Sequence, residues 1–134
     1  NYKLPITLSY TYTDTELRSN FNSGVEAWGT ISVGDEIPYI SKHQWALTAA
    51  IEHEKWGANI SGKYNGQFRT LAGQGEIPAG ELVKSNFVLD ASIRYNVTQK
   101  TTVFANALNV LDEKYAVARV PAGLRPGMPF ALNL

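Results

Sequence analysis

No cysteine occurs among the 134 residues of this chain, which excludes a disulfide framework, a thiolate metal site and a thiol nucleophile. Basic charge is not in surplus either. Twelve lysines and arginines balance 12 acidic residues, whereas a nucleic-acid-binding protein normally carries a basic surplus or stripe. Charged residues are scarce, at 18% against roughly 25% in soluble domains. No apolar run approaches the ~20 residues of a membrane-spanning helix, although the short alternating strands of a membrane barrel would not show one.

Alternation of apolar and polar residues is the clearest pattern that the chain does contain. A period of two residues is typical of a β-strand with one apolar face. The run 101–109 alternates least cleanly, because Phe104 and Leu108 share a face with Asn106. The length allows one ordinary domain. The pattern therefore predicts an all-β fold, an antiparallel up-and-down meander of about six strands, at 4–13, 45–52, 56–65, 87–97, 101–109 and 130–134.

The connections between these runs alternate in length. Short turns are predicted at 53–57 and 96–101, and long loops at about 14–43, 68–84 and 110–128. In an antiparallel meander, such alternation brings all the long loops to one end and all the short turns to the other. Transmembrane barrels show this asymmetry, with short periplasmic turns and longer extracellular loops.

Aromatic residues on the apolar faces fall near the two ends of the predicted strands. Toward the long loops lie Tyr10, Tyr12, Trp45, Tyr64 and Phe87, and toward the short turns lie Trp56 and Tyr95. Two aromatic belts around a band of aliphatic residues are typical of a protein that crosses a bilayer. A soluble β-sandwich also alternates, with its apolar face turned inward, so periodicity alone leaves both architectures open.

Three segments carry a resemblance to a known family. They are 106–115 (NALNVLDEKY), 125–129 (RPGMP) and 34–44 (GDEIPYISKHQ). The first resembles the hallmark near the C-terminus of TonB-dependent outer-membrane receptors, in which an Asn, two apolar residues, Asp, two residues and Tyr follow one another. The second resembles the turn before that family's last strand, and the third resembles an outer-loop motif. Leu111 stands where the family usually has Phe, and the chain ends at Leu134 rather than at an aromatic residue.

The resemblance implies that residues 1–134 are the C-terminal portion of the β-barrel domain, about the last six strands of a 22-stranded barrel, without the plug domain and the N-terminal strands. It implies a bacterial outer-membrane location and energy-coupled uptake of an iron chelate, a ferric siderophore or ferric citrate, or of another bulky nutrient. The implied partners are the TonB energy-coupling complex, acting through the absent plug region, and outer-membrane lipid with lipopolysaccharide. Passive diffusion through a porin, and binding by a soluble β-sandwich or lipocalin-like module, are the alternative functions.

No catalytic or metal site is indicated, and neither an enzymatic activity nor a cofactor is expected. His43 and His53 lie at opposite ends of one predicted strand, too far apart to share a metal ion. Asp112 and Glu113 fall in the family motif, where a structural role at the base of a loop is expected.

Anion binding by the long loops is the remaining chemistry. Iron chelates are often anionic, and the planar fork of arginine binds anionic oxygens in a bidentate manner. Arg119 and Arg125 are the first candidates, because they flank the apex of the last long loop, 116–129. Arg69 and Arg18 are further candidates in or beside the other two loops. Ordinary solvated loop charges are the alternative explanation for each of these arginines.

Overall fold

The computed structural model describes residues 1–25, 28–119 and 123–134. Within these ranges it has no helix that is long and apolar enough to cross a membrane. The described strands are β1 (Ile6–Tyr12), β2 (Phe21–Asn22), β3 (Thr30–Ile31), β4 (His43–Glu52), β5 (Trp56–Asn65), β6 (Phe68–Arg69), β7 (Leu82–Val83), β8 (Asn86–Thr98), β9 (Thr101–Leu108), β10 (Ala116–Ala118), β11 (Arg125–Pro126) and β12 (Ala131–Asn133).

Six of these strands form one antiparallel sheet in the order β1-β4-β5-β8-β9-β12. Each strand of this sheet pairs with the strand of the same sheet that follows it along the chain, so the sheet is an up-and-down meander. The all-β fold class and the six-strand meander are thus confirmed. The third predicted run has the same bounds as β5, and the other five differ from their strands by a few residues at one or both ends.

The strand register aligns the aromatic residues of the apolar face into two rows. Tyr10 lies opposite Trp45, Trp45 opposite Tyr64, and Tyr64 opposite Phe87, so one row crosses four strands. The Trp45 ring centroid is 5.7 Å from that of Tyr64 and 5.4 Å from that of Phe87. Such cross-strand aromatic pairs stabilise a sheet and fix its register.

A second, shorter row lies toward the short turns. Trp56 pairs with Tyr95, and Tyr95 pairs with Val103. Tyr2 and His53 add ring contacts to Trp56, with centroids 6.2 Å away in both cases. The two rows therefore bracket a band of aliphatic and small side chains, as the sequence predicts.

The sheet is a single layer. Ile6, Ile60 and Ile93 on its apolar face are 70%, 50% and 53% exposed. The other three described sheets have two strands each, all within the long loops, and the buried apolar residues Ile31 and Val83 also belong to these small sheets. No second sheet among the described residues covers the apolar face. A soluble β-sandwich would bury this face against a second sheet, which the described residues do not supply.

The opposite face of the sheet is largely polar. Across it Thr48 and Ser61 lie 3.3 Å apart between their hydroxyl oxygens, and the hydroxyl of Ser92 donates to Asn59 Oδ1 at 3.0 Å. Phe104 pairs with Arg94 on this face, two register positions from the Asn106–Ser92 pair on the same side. The mixed character that the sequence gives to the fifth run is confirmed.

Connection lengths alternate as predicted. Residues 53–55 and 99–100 form the short turns, and the long connections are loop I (13–42), loop II (66–85) and loop III (109–130). Each long loop contains a two-stranded ladder, β2–β3, β6–β7 or β10–β11, that the sequence does not reveal. The count of 22 strands in the whole barrel stays a prediction.

Candidate functional site

The end of the sheet that carries the three long loops also carries the buried polar residues of the described chain. These are Asp35, Ser41, Arg69, Thr70, Asn86 and Asn109, all in the loops or at the adjacent end of β8. Buried polar groups are costly unless they are hydrogen-bonded, so their partners show how the loops are held.

Loops I and II are joined by a cluster of three charged side chains, Glu36, Lys42 and Arg69, which we call the clamp. The Arg69 side chain is only 3% exposed, and its Nε donates to Glu36 Oε2 at 3.1 Å. Its Nη2 donates to the carbonyl of Gly75 at 2.9 Å. Lys42 Nζ lies 2.7 Å from Glu36 Oε1 and 3.5 Å from Asp14 Oδ1, so Glu36 pairs with both cations and Asp14 adds a second negative charge beside Lys42.

Electrostatics keep the clamp ionised. Burial raises the pKa of Glu36, but hydrogen bonds and charge from Lys42 and Arg69 outweigh burial and hold that pKa below its ordinary value. The hydrogen bond to Glu36 raises the pKa of Lys42 above its ordinary value, against a smaller opposing effect of burial.

Two backbone hydrogen bonds also join loops I and II beside the clamp. The Tyr39 N–H donates to the Arg69 carbonyl, and the Glu36 N–H donates to the Gly73 carbonyl. Loops I and II are therefore one connected structure.

The loop I motif 34–44 has a structural explanation in its first two residues. Gly34 has φ +94, a conformation that favours glycine. Asp35 accepts hydrogen bonds from the Ser32 N–H at 2.8 Å and from Gln74 Nε2 at 3.1 Å. Gln74 also donates to the Val33 carbonyl at 2.9 Å, which gives a second polar connection between loops I and II.

Loop III is closed at its base by Asn109, which is 1% exposed and has φ +48. Asn109 Nδ2 donates to the carbonyls of Glu113 and Met128 at 3.0 and 2.9 Å, and Asn109 Oδ1 accepts from the Glu113 N–H at 2.9 Å. Asp112 Oδ1 accepts from the Phe130 N–H at 3.2 Å. The Asn and Asp of the family motif thus tie the end of β9 to the start of β12. The structural role expected for Asp112 is present.

The second half of loop III is fixed by contact between Gly127 and Tyr115. The Gly127 N–H donates to the Tyr115 carbonyl at 2.8 Å. A Cβ atom at position 127 would overlap the Tyr115 ring, so no side chain larger than hydrogen fits without movement of that ring. The Gly of 125–129 and the Tyr of 106–115 are therefore one packing unit.

A cleft of about 450 Å³ opens between loops II and III. Its lining is cationic and apolar: Ala79, Leu82, Val83, Lys84, Lys114, Tyr115, Ala116, Arg119, Leu124 and Pro126. The Nε of Arg119 is buried and has no hydrogen-bond partner among the described residues. The arginine pattern of the sequence predicts Arg119 but not Lys84 and Lys114, because a planar bidentate fork is a property of arginine alone. The sequence signal for both lysines is a positive charge within a long loop.

The other candidate arginines lie outside this cleft. Arg125 is exposed on β11, where it pairs with Ala118, and Arg18 is exposed in loop I. Arg69 is enclosed in the clamp. Residues 120–122, at the apex that Arg119 and Arg125 flank, lie outside the described residues. Ligand binding by each of the four arginines stays a prediction.

The two histidines are separated as predicted: His43 is the first residue of β4, and His53 follows its last residue. His43 Nδ1 lies 2.9 Å from the Tyr10 hydroxyl, whereas His53 packs against Trp56. Across residues 1–25, 28–119 and 123–134, no group of three histidine or acidic residues is placed to hold a metal ion.

With this geometry in place, residues 1–110 match the family model described as TonB dependent receptor-like, beta-barrel. The chain belongs to this family. The family is a Gram-negative outer-membrane type, and its barrel architecture agrees with the exposed apolar face and the loop asymmetry. The alternative of a soluble β-sandwich or lipocalin-like module is accordingly wrong. No curated protein matches the chain.

Two solved structures share the fold, and both are of the ferric-catecholate import receptor Fiu from E. coli K12. The closed form has a TM-score of 0.73 at 18% identity and covers 96% of this chain and 18% of that chain. The open form has a TM-score of 0.61 at 21% identity and covers 71% of this chain and 15% of that chain. This chain therefore spans less than a fifth of the length of the receptors that it resembles.

Proposed function

We propose that this chain is part of an outer-membrane, energy-coupled receptor that takes up an iron chelate, a ferric siderophore or ferric citrate. The family match over residues 1–110 carries the proposal. Similarity of fold to a receptor named for ferric-catecholate import supports the choice of an iron chelate. In the whole receptor this chain supplies part of the barrel wall and three outer loops. It carries no enzymatic role.

The wall lies in the membrane with its apolar face in lipid and its polar face in the lumen. Trp56 and Tyr64 of the two aromatic rows are eight residues apart on β5, which is about 26 Å along a strand. A strand tilt of about 40° reduces this to about 20 Å, close to the ~25 Å apolar band of outer-membrane barrels. Lipid contacts the band, and lipopolysaccharide meets the loop-side aromatic row. The TonB complex acts through the plug region.

The outer loops contact the ligand through Arg119, Arg125, Arg18 and Arg69, in that order of contribution. Arg119 comes first because it lines a cleft and its Nε has no hydrogen-bond partner among the residues that the structure describes. Arg125 and Arg18 are exposed and accessible to a ligand. Arg69 comes last, since Glu36 and Gly75 already occupy its guanidinium.

Uptake of iron by whole cells tests this proposal. A strain that lacks the receptor is complemented with the full-length gene and supplied with ⁵⁵Fe as siderophore complexes or as citrate, with and without a functional TonB. Accumulation of at least one complex that depends on both the receptor and TonB is expected. TonB-independent entry of small unrelated solutes would indicate a porin and overturn the proposal, as would the absence of uptake for every complex from cells with normal surface levels of receptor.

A further inference from the structure

We propose that the cleft between loops II and III is a binding site for a small organic polyanion with an aromatic or otherwise apolar frame. The inference deepens the proposed function, on which it rests for the source of the anion: an anionic arm of the chelate. It names a subsite, formed by Lys84, Lys114 and Arg119, that the arginine pattern of the sequence does not define.

Charge is the first argument. Lys84, Lys114 and Arg119 line one cleft, and none of the described lining residues is acidic. None of the three cations forms an ion pair within the described parts of the chain. The clamp is a useful contrast, because there Lys42 and Arg69 both form ion pairs with Glu36. The cleft therefore holds uncompensated positive charge that an anion of two or three charges would neutralise.

The buried Nε of Arg119 is the second argument. A buried donor without an acceptor is costly, and a bound carboxylate or phenolate oxygen would supply the missing acceptor. Hydrogen bonds between a guanidinium and an anionic oxygen are about twice as strong as neutral ones. One anionic group of the ligand is therefore assigned to Arg119 and a second to the two lysines.

The apolar lining supplies the third argument. Leu82, Leu124, Pro126 and Tyr115 line the same cleft as the three cations. A volume of about 450 Å³ lies toward the small end of ligand pockets, which span ~300–1,000 Å³. The cleft thus fits a compact ring or short chain that carries its charges on one edge. Inorganic phosphate would satisfy the charges but leave the apolar wall unfilled.

Calorimetric titration of the purified full-length receptor in detergent tests the site. The probes are benzene-1,2-dicarboxylate, its uncharged diamide and inorganic phosphate. The dicarboxylate should bind at least about tenfold more tightly than either of the others, and its affinity should fall as salt is raised. Equal affinity for dicarboxylate and diamide would refute the role of charge, and equal affinity for phosphate would refute the role of the apolar wall.

Variants locate the binding. Arg119→Ala should weaken dicarboxylate binding by about ten- to a hundredfold, the range for one lost charge-assisted hydrogen bond, and Arg119→Lys should recover only part of it. Ala79→Trp should block the cleft while leaving every charge in place. The matched controls are Arg94→Ala on the polar face of the sheet and Lys100→Ala in a short turn, which should leave the affinity unchanged.

The variants separate the subsite from the proposed iron cargo. Unchanged affinity in Arg119→Ala and in Ala79→Trp would overturn the subsite, whatever the uptake experiment shows. Because the probes contain no iron and need no TonB, binding that follows the variants in a receptor without iron uptake would retain the polyanion site and reject the proposed cargo. Loss of binding in the two controls would show that the site lies elsewhere.

Discussion

Asn109 gives the sharpest prediction about how the outer end is built. Its side chain makes three hydrogen bonds, to Glu113 twice and to Met128 once, and it is almost fully buried. Asn109→Ala removes all three, at ~1 kcal/mol each. It also places alanine at φ +48, where a residue other than glycine or asparagine costs about 1 kcal/mol more. The free energy needed to open the base of loop III should therefore fall by about 3–4 kcal/mol.

Hydrogen exchange of the full-length receptor measures this opening directly. A loss of 3 kcal/mol corresponds to about a hundredfold faster exchange at the Glu113 and Phe130 amides, provided that they exchange through this local opening. Asn109→Gly keeps the φ angle without strain, so it should exchange about fivefold more slowly than Asn109→Ala. Amides of β5 serve as the internal control, since they lie in the sheet away from loop III. Unaltered exchange at Glu113 in Asn109→Ala would refute the role assigned to this asparagine.

Three further predictions follow from the same structure. The pKa of Glu36 is lowered in the folded state, so its stabilisation is present above the ordinary value of 4.5 and is lost as pH falls through the lower folded value; amides that join loops I and II should lose protection as the pH is lowered below 4.5, and Glu36→Gln should remove this dependence. Gly127→Ala should displace the Tyr115 ring and destabilise loop III by about 1–3 kcal/mol, with Tyr115→Ala restoring normal exchange in the double variant. Ile93→Arg should destabilise the barrel in vesicles by ~2–4 kcal/mol while Ser92→Arg on the polar face is tolerated, and equal damage at both positions would contradict the assignment of the faces.

The sheet could be predicted from the sequence because its information is local. Alternation along 56–65 predicts both the bounds and the faces of β5. The position of Phe104 among polar residues likewise predicts that one face of β9 is mixed. The small ladders could not be predicted. The β6–β7 pair has two residues per strand, too few for a periodic pattern, and it is held by contacts such as the hydrogen bond from the Thr70 N–H to the Glu81 carbonyl.

The candidate site was predictable only in part, because its contacts join residues that are distant in sequence. Arg69 and Glu36 are 33 positions apart, and no local sequence pattern indicates that they form an ion pair. The cleft likewise combines Lys84 from the end of loop II with Lys114 and Arg119 from loop III. The family motif did predict a structural role for Asp112, although the four backbone groups that the Asp112 and Asn109 side chains satisfy become visible only in three dimensions.

Topology in intact cells tests the central claim most directly, namely that this chain is a piece of outer-membrane barrel wall with loops I, II and III outside. Single cysteines at the exposed loop positions Glu16, Glu76 and Val117, and at Lys55 and Gln99 in the two short turns, are placed in the full-length receptor without other accessible thiols. A membrane-impermeant maleimide should modify the three loop positions in intact cells and the two turn positions only after the outer membrane is permeabilised. Modification of Lys55→Cys or Gln99→Cys in intact cells, with protection at the loop positions, would contradict the account.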